Sequence, residues 1–308
     1  MSETSTSSST SLKNKHLSTS FSTDMFKIDD YHFPSLTLLC GKSGRGKSHT
    51  IKYLIQRFVA KKKFSFGVVF SGSKDNDDYK FIDERHVYSY SEEAFENYVK
   101  WLESLKASKK DAMPSSFLIL DDLLGKLNDS PIVNSFMSRF RHLNVSIFLA
   151  CQYLKTRTSS TLIREQTNYA FIFNTKTKNT IQPLFEYFGG LFDDYDSFKA
   201  HFLASTDLQK FPHTSMLYIE AEDELDKNYL QFTAPASLPD TKIEFKSAST
   251  ITPDAGSNLS LDPKAPKIKV EGSLFSLPGK PEQITITQEQ ADKLRDNAFR
   301  KLKLPLTL

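Results

Sequence analysis

Cysteine is nearly absent from this 308-residue chain: Cys40 and Cys151 are the two, each closing an apolar run. Two thiols cannot make a disulfide scaffold, and a structural zinc site of Cys and His is not expected beside them. Long apolar runs are missing as well. No stretch reaches the roughly 18 residues a membrane-crossing helix needs. An excess of one charge is also lacking, since 40 Lys and Arg face 37 Asp and Glu for a formal +3. Bulk charge therefore does not mark a nucleic-acid binder. The opening residues, MSETSTSSSTSL, have neither the basic start nor the apolar core of a secretory leader. No repeat of fixed period occurs. These absences lead to the expectation of a soluble protein of a reducing compartment, with no membrane partner.

Hydrophobic residues make up 39% and charged residues 25%, slightly less apolar than an ordinary globular chain. That balance fits a folded body diluted by polar tails. Residues 1–24 are mostly Ser and Thr and cannot bury enough surface to offset their ordering entropy, so disorder is expected there. Residues 236–283 are rich in proline and read as an extended linker. Thr287 with the following Gln288, Glu289 and Gln290 resembles a capping box. It opens a basic C-terminal helix over 284–304, with Ala291, Leu294, Ala298, Phe299 and Leu302 on one face.

A core can form over residues 28–235. Short unalternating apolar runs at 35–40, 67–71, 116–120, 144–150 and 169–174 predict strands buried on both faces, with weaker candidates at 86–90 and 215–220. Helical spacing separates them. Ile51, Leu54, Ile55, Phe58 and Val59 share a face; Ser91 caps a second helix, and Ser130-Pro131 opens a third. Strands alternating with helices predict an α/β domain whose mostly parallel sheet carries helices on both faces.

Gly41-Lys42-Ser43-Gly44-Arg45-Gly46-Lys47-Ser48 matches G-x-x-x-x-G-K-[ST], the phosphate-binding loop of P-loop NTPases. It follows a strand pattern and opens a helix, so backbone N–H groups and helix dipole converge on one spot. Lys47 is placed on the β- and γ-phosphates and Ser48 on Mg²⁺, with His49 next among the nucleotide-contacting residues. Asp121 and Asp122 end the run SSFLIL. The first is predicted to hold Mg²⁺ and the second to deprotonate the attacking water. Gln152, after NVSIFLAC, would orient that water. Arg139 and Arg141 close the helix before that strand, at one edge of the nucleotide-bearing face, where a cation could complete a neighbouring subunit's γ-phosphate site. The residues alone specify an Mg²⁺-dependent nucleoside triphosphatase.

Strand, GKSGRGKS, helix, then LILDD, RHLNVSIFLACQ and IREQTNYAFIF together resemble the viral genome-packaging ATPases of the FtsK–HerA superfamily. The branch is the poxvirus-type one, shared by large DNA viruses and virophages, and the likeness runs from residue 34 to about 220. It implies an ATP-driven homo-oligomeric ring that moves double-stranded DNA into a capsid, in a host-cytoplasmic viral factory or in the virion. A capsid or portal protein would be a further partner. It also implies Arg141 acting in trans, and Arg164 sits where the branch often carries an arginine. Many members have Asp-Glu where this chain has Asp121-Asp122, which sets the shorter Asp122 further from the water. Other readings stay open: a DNA-binding replication or segregation factor, a small-molecule kinase, an assembly protein, or a GTPase, because Asp122-Leu123-Leu124-Gly125 fits D-x-x-G although no N-K-x-D follows. Lys61-Lys62-Lys63 and the group Lys155, Arg157 and Arg164 are the candidate DNA contacts.

Overall fold

A computed structural model describes Phe26 and residues 28–72, 77–109, 112–123, 127, 130–154, 161–207, 214–220 and 225–245. The Ser/Thr-rich stretch 1–24, the helix expected over 284–304 and residues 246–283 lie outside the described residues, as do Leu124, Gly125, Lys155 and Arg157.

Each strong apolar run becomes a strand: β1 (Leu36–Cys40), β2 (Phe66–Ser71), β4 (Ser116–Asp121), β5 (Val145–Cys151) and β6 (Thr167–Phe173). The weaker candidates also pair, as the three-residue β3 (Val87–Ser89) and as β7 (Thr214–Ile219). An eighth strand, β8 (Tyr229–Thr233), was not expected, because YLQFT is short and its hydrophobicity is broken by Gln231. The sheet order is β3-β2-β4-β5-β1-β6-β7-β8. Pairing is parallel from β3 to β6, and β7 and β8 add an antiparallel edge. This is the α/β P-loop NTPase architecture that the sequence predicts.

The two-residue alternation of each strand divides the sheet between two cores. Leu36, Leu38 and Cys40 of β1 enter one, and Leu39 enters the other. Helix α1 (Lys47–Ala60) covers the second core with Ile51, Leu54, Ile55 and Phe58. The first core is closed by α2 (Glu92–Lys109), α3 (Pro131–Met137), α5 (Lys178–Phe188) and α6 (Tyr195–Ser205), while the short α4 (Thr161–Gln166) leads into β6. The caps read from sequence form: Ser91 Oγ accepts from the Ala94 amide at 3.1 Å, and Ser130 Oγ accepts from Val133 at 3.4 Å with Pro131 at the first helical position.

Packed chain continues past Pro235. Gln56 Nε2 on α1 donates to the Pro239 carbonyl at 2.9 Å, and Ile243 is buried where it bridges Ile82. Residues 235–241 therefore lie as a strap along α1 through the Pro235, Pro239 and Thr241 carbonyls, and Ile243 beyond them reaches the Phe81–Ile82 segment.

Candidate nucleotide site

Parallel strands end at one edge of a sheet, and that geometry assembles the site. The loop 41–46 leaves the carboxyl end of β1, Asp122 follows β4, and Gln152 follows β5, which lies between the two. The ladder continues one step past the strands, with the Gly41 amide donating to Cys151 O at 3.1 Å and the Asp122 amide to Ala150 O at 3.1 Å. Gly46 has φ of 102°, in the left-handed region that favours glycine, and it is the residue before α1. A Cβ on Gly41 would lie 2.6 Å from the Phe173 Cβ, so the loop can pass β6 only without a side chain there.

A cleft of about 840 Å³ opens on this edge, lined by the loop together with Ser71, Gly72, Asp78, Asp121, Asp122, Gln152 and Ala236. Lys47 Nζ donates to the Gly41 carbonyl at 2.8 Å and points along the loop. Ser48 Oγ donates to Asp78 Oδ2 at 2.7 Å. Gln152 Nε2 donates to Asp122 Oδ2 at 3.0 Å, which ties the two sequence-predicted residues into one unit. Asp122 itself sits at φ 53°, a left-handed backbone that turns its carboxylate into the cleft mouth. Next to it, Asp121 is buried. Burial raises the Asp121 carboxyl above the ordinary carboxylate range, while the Tyr79 hydroxyl and the Lys47 charge pull it back in part. Burial, with the field of the same carboxylate, holds the Tyr79 phenol well above the usual tyrosine range.

Of the sequence-predicted loop, Ser43, Gly44, Gly46, Lys47 and Ser48 thus meet Asp121, Asp122 and Gln152, and His49 joins them with its Nε2 at 2.7 Å from the Pro235 carbonyl, whereas Lys42 and Arg45, also expected at the nucleotide, line a second cleft instead. Asp78, Tyr79 and Ala236 were missed. The acid run DNDDYK after β2 was the available signal for the first two, since acids that follow a parallel strand fall on the same edge.

The expected place of the arginines, at one edge of the nucleotide-bearing face, is corrected, while action on a neighbouring subunit is a separate proposal. Helix α3 ends at Met137, and Arg141 lies in a 3₁₀ turn, Phe140–Leu143, before β5 begins. That is the amino end of the strand, about 20 Å from its carboxyl end at a strand rise of about 3.3 Å per residue. Neither arginine lies on the nucleotide-bearing edge. Arg141 is bonded to Gln166 Oε1, to Gln166 O at 3.1 Å and to Asn168 Oδ1 at 3.0 Å, and Arg139 pairs with Glu103. Arg164, ahead of β6, is at the same far edge and bonds Glu165 at 2.7 Å. The placement follows from chain order: residues just before a parallel strand start at the edge opposite to residues just after one.

A family profile described as Poxvirus A32 protein matches residues 21–183, more than half of the chain and all of the motif residues above. No curated protein matches the sequence. Among solved structures, the genome packaging NTPase B204 from Sulfolobus turreted icosahedral virus 2 in complex with AMPPCP is similar with a TM-score of 0.44 and 16% identity, covering 61% of this chain and 94% of that one. The same protein in complex with sulfate gives 0.47 and 14% identity over 68% of this chain and 100% of the other. The cytoplasmic domain of the Thermomonospora curvata type VII secretion ATPase EccC gives 0.45 and 16% identity over 65% of this chain and 25% of that one.

Proposed function

This chain belongs to the poxvirus A32 protein family and is a P-loop ATPase, and we propose that it drives double-stranded DNA into a viral capsid by Mg²⁺-dependent ATP hydrolysis. The observation that supports the chemistry is the convergence of Lys47, Ser48, Asp121, Asp122 and Gln152 on one cleft.

The residues suit magnesium. Hard oxygen donors, the Ser48 hydroxyl and the buried Asp121 carboxylate, face the same space with Asp78 beside them. Among the described residues no cluster of three or more His, Cys, Asp or Glu forms a closed metal cage. That fits an ion which keeps waters and takes its remaining ligands from phosphates. When bound, the ion supplies positive charge against that developing on the phosphates. Lys47 would turn from the Gly41 carbonyl onto the β- and γ-phosphates. Asp122 would accept a proton from the attacking water, and Gln152, already bonded to Asp122, would hold that water in line. Arg141 has no part in this cleft within one chain.

The family context extends the reading to a homo-oligomeric ring acting on duplex DNA in a viral factory or virion, with residues beyond 245 offered to a capsid or portal partner. No helix among the described residues is long and apolar enough to cross a membrane. The domain proper is proposed as residues 28–235 plus the strap, with residues 1–24 and the remainder of 236–283 as tails. Phosphate release measured with and without duplex DNA, in Mg²⁺ and in EDTA, tests the whole. Turnover should need the metal, rise with duplex and vanish in Lys47→Ala. Turnover in Lys47→Ala equal to the wild type would remove the site, and indifference to duplex would remove the motor.

A further inference from the structure

A second cleft, of about 650 Å³, lies behind the phosphate-binding loop and shares no residue with the first. Its walls are the loop side chains Lys42 and Arg45, the segment Asn174–Thr177 after β6, and the end of α6. Because Ser43, Gly44 and Gly46 face the first cleft, the loop backbone itself divides the two.

The chemistry of the second cleft is that of an anion site. Three cations, Lys42, Arg45 and Lys176, line it against one acid, Asp207. The eleven-residue α5 begins here, and its N-cap residue Thr177, whose side chain makes no capping bond, lines the cleft, so the positive end of the helix dipole lies beside it. The independent observation is Thr175. It is 5% exposed and lines the cleft, yet its shielded hydroxyl has no hydrogen-bond partner among the described residues. A buried hydroxyl without a partner is costly, and a bound oxyanion would accept from it. Asn174 beside it is fixed by bonds from Nδ2 to Thr206 O at 2.8 Å and to Thr206 Oγ1 at 3.1 Å, so the wall is built and rigid.

We propose that this second cleft binds a phosphate group, contacted by Thr175 Oγ1, Lys176, Lys42, Arg45 and the first turn of α5. The group could come from the backbone of a duplex, in which case the site rests on the DNA reading above, or from free phosphate. Either would touch the nucleotide loop from behind, through Lys42 and Arg45.

The test uses the full chain saturated with AMPPCP and Mg²⁺, so that the nucleotide loop is already filled. In one arm a short fluorescein-labelled duplex is titrated over a range of salt concentrations. In the other, inorganic phosphate is titrated by calorimetry. The variants are Thr175→Val, Thr175→Ser and Lys176→Ala, with melting temperature and DNA-free ATPase rate as controls that should stay unchanged. If the duplex is the source, Lys176→Ala should weaken its binding several-fold and reduce the log–log salt slope by about 1. Thr175→Val should weaken it without changing the slope, and Thr175→Ser should restore it. If free phosphate is the source, its binding heat should be present in the wild type and lost in Thr175→Val and Lys176→Ala. A wild type that ignores duplex but loses phosphate heat in these variants would end the DNA reading and keep the site. Unchanged duplex affinity in every variant, with no phosphate heat in the wild type, would overturn the proposal. So would variants whose AMPPCP affinity alone falls, because the cleft would then belong to the nucleotide.

Discussion

Asp121 and Asp122 are adjacent carboxylates in different physical surroundings. The first is shielded beside Tyr79 and Lys47, and the second is exposed and bonded to Gln152. Proposed roles in metal holding and in water activation make separable predictions. Asp121→Asn should weaken Mg²⁺-nucleotide binding, measured by titration with a fluorescent analogue. Asp122→Asn should bind normally and lower kcat by roughly 10²- to 10⁴-fold, the range general-base removal spans. Full turnover in Asp122→Asn would move the base elsewhere, with Asp78 the next carboxylate on the cleft wall. Both acids were legible from sequence because they end a buried run. Asp78 was missed, although the acid run DNDDYK that follows β2 marks it in the sequence.

At the scale of elements, β2 and β4 pair Gly67 with Phe117, and the Phe117 ring lies over the glycine. A Cβ there would meet that ring at 2.0 Å. Gly67→Ala should therefore destabilise the domain by about 1–3 kcal/mol, the cost of an overpacked core, in denaturant unfolding. An unchanged midpoint would show that the ring moves freely.

Helix α6 offers a second element-scale case. Its His201 packs against the rings of Phe192 and Tyr229, and burial lowers its pKa to about 4. The unfolded chain takes up that proton near pH 6.5, whereas the folded chain does so only near pH 4. Protons in that window favour unfolding, so stability should fall as pH drops from about 6.5 to about 4, by on the order of 1–2 kcal/mol after allowance for partial exposure. His201→Phe should flatten this part of the stability–pH curve. An identical slope in both proteins would exclude His201 as the cause.

For the whole molecule, the placement of Arg141 matters most. Its guanidinium clasps Gln166 and Asn168, joining the 3₁₀ turn before β5 to the start of β6, on the edge away from the cleft. Arg141→Ala should lower the melting temperature by a few degrees and leave turnover per chain within about threefold of the wild type, since exposed contacts of this kind contribute modestly. A loss of about 10³ in rate with an unchanged melting temperature would instead restore an arginine finger acting on a neighbouring chain.

What the sequence by itself determined is the set of features written locally. Unalternating apolar runs demand strands buried on both faces, GKSGRGKS demands a loop that turns inward on phosphate, and Ser91 and Ser130 announce their helices. Parallel order then carries Asp121, Asp122 and Gln152 to the loop, because residues after parallel strands share an edge. Only the tertiary structure decided the rest. It sent Arg139 and Arg141 to the far edge, and it laid residues 235–241 along α1 by carbonyl contacts that no periodicity records. It also built a second polar cleft from Lys42, Arg45 and Thr175, which are separated by some 130 positions in the chain and meet only because β1 pairs with β6.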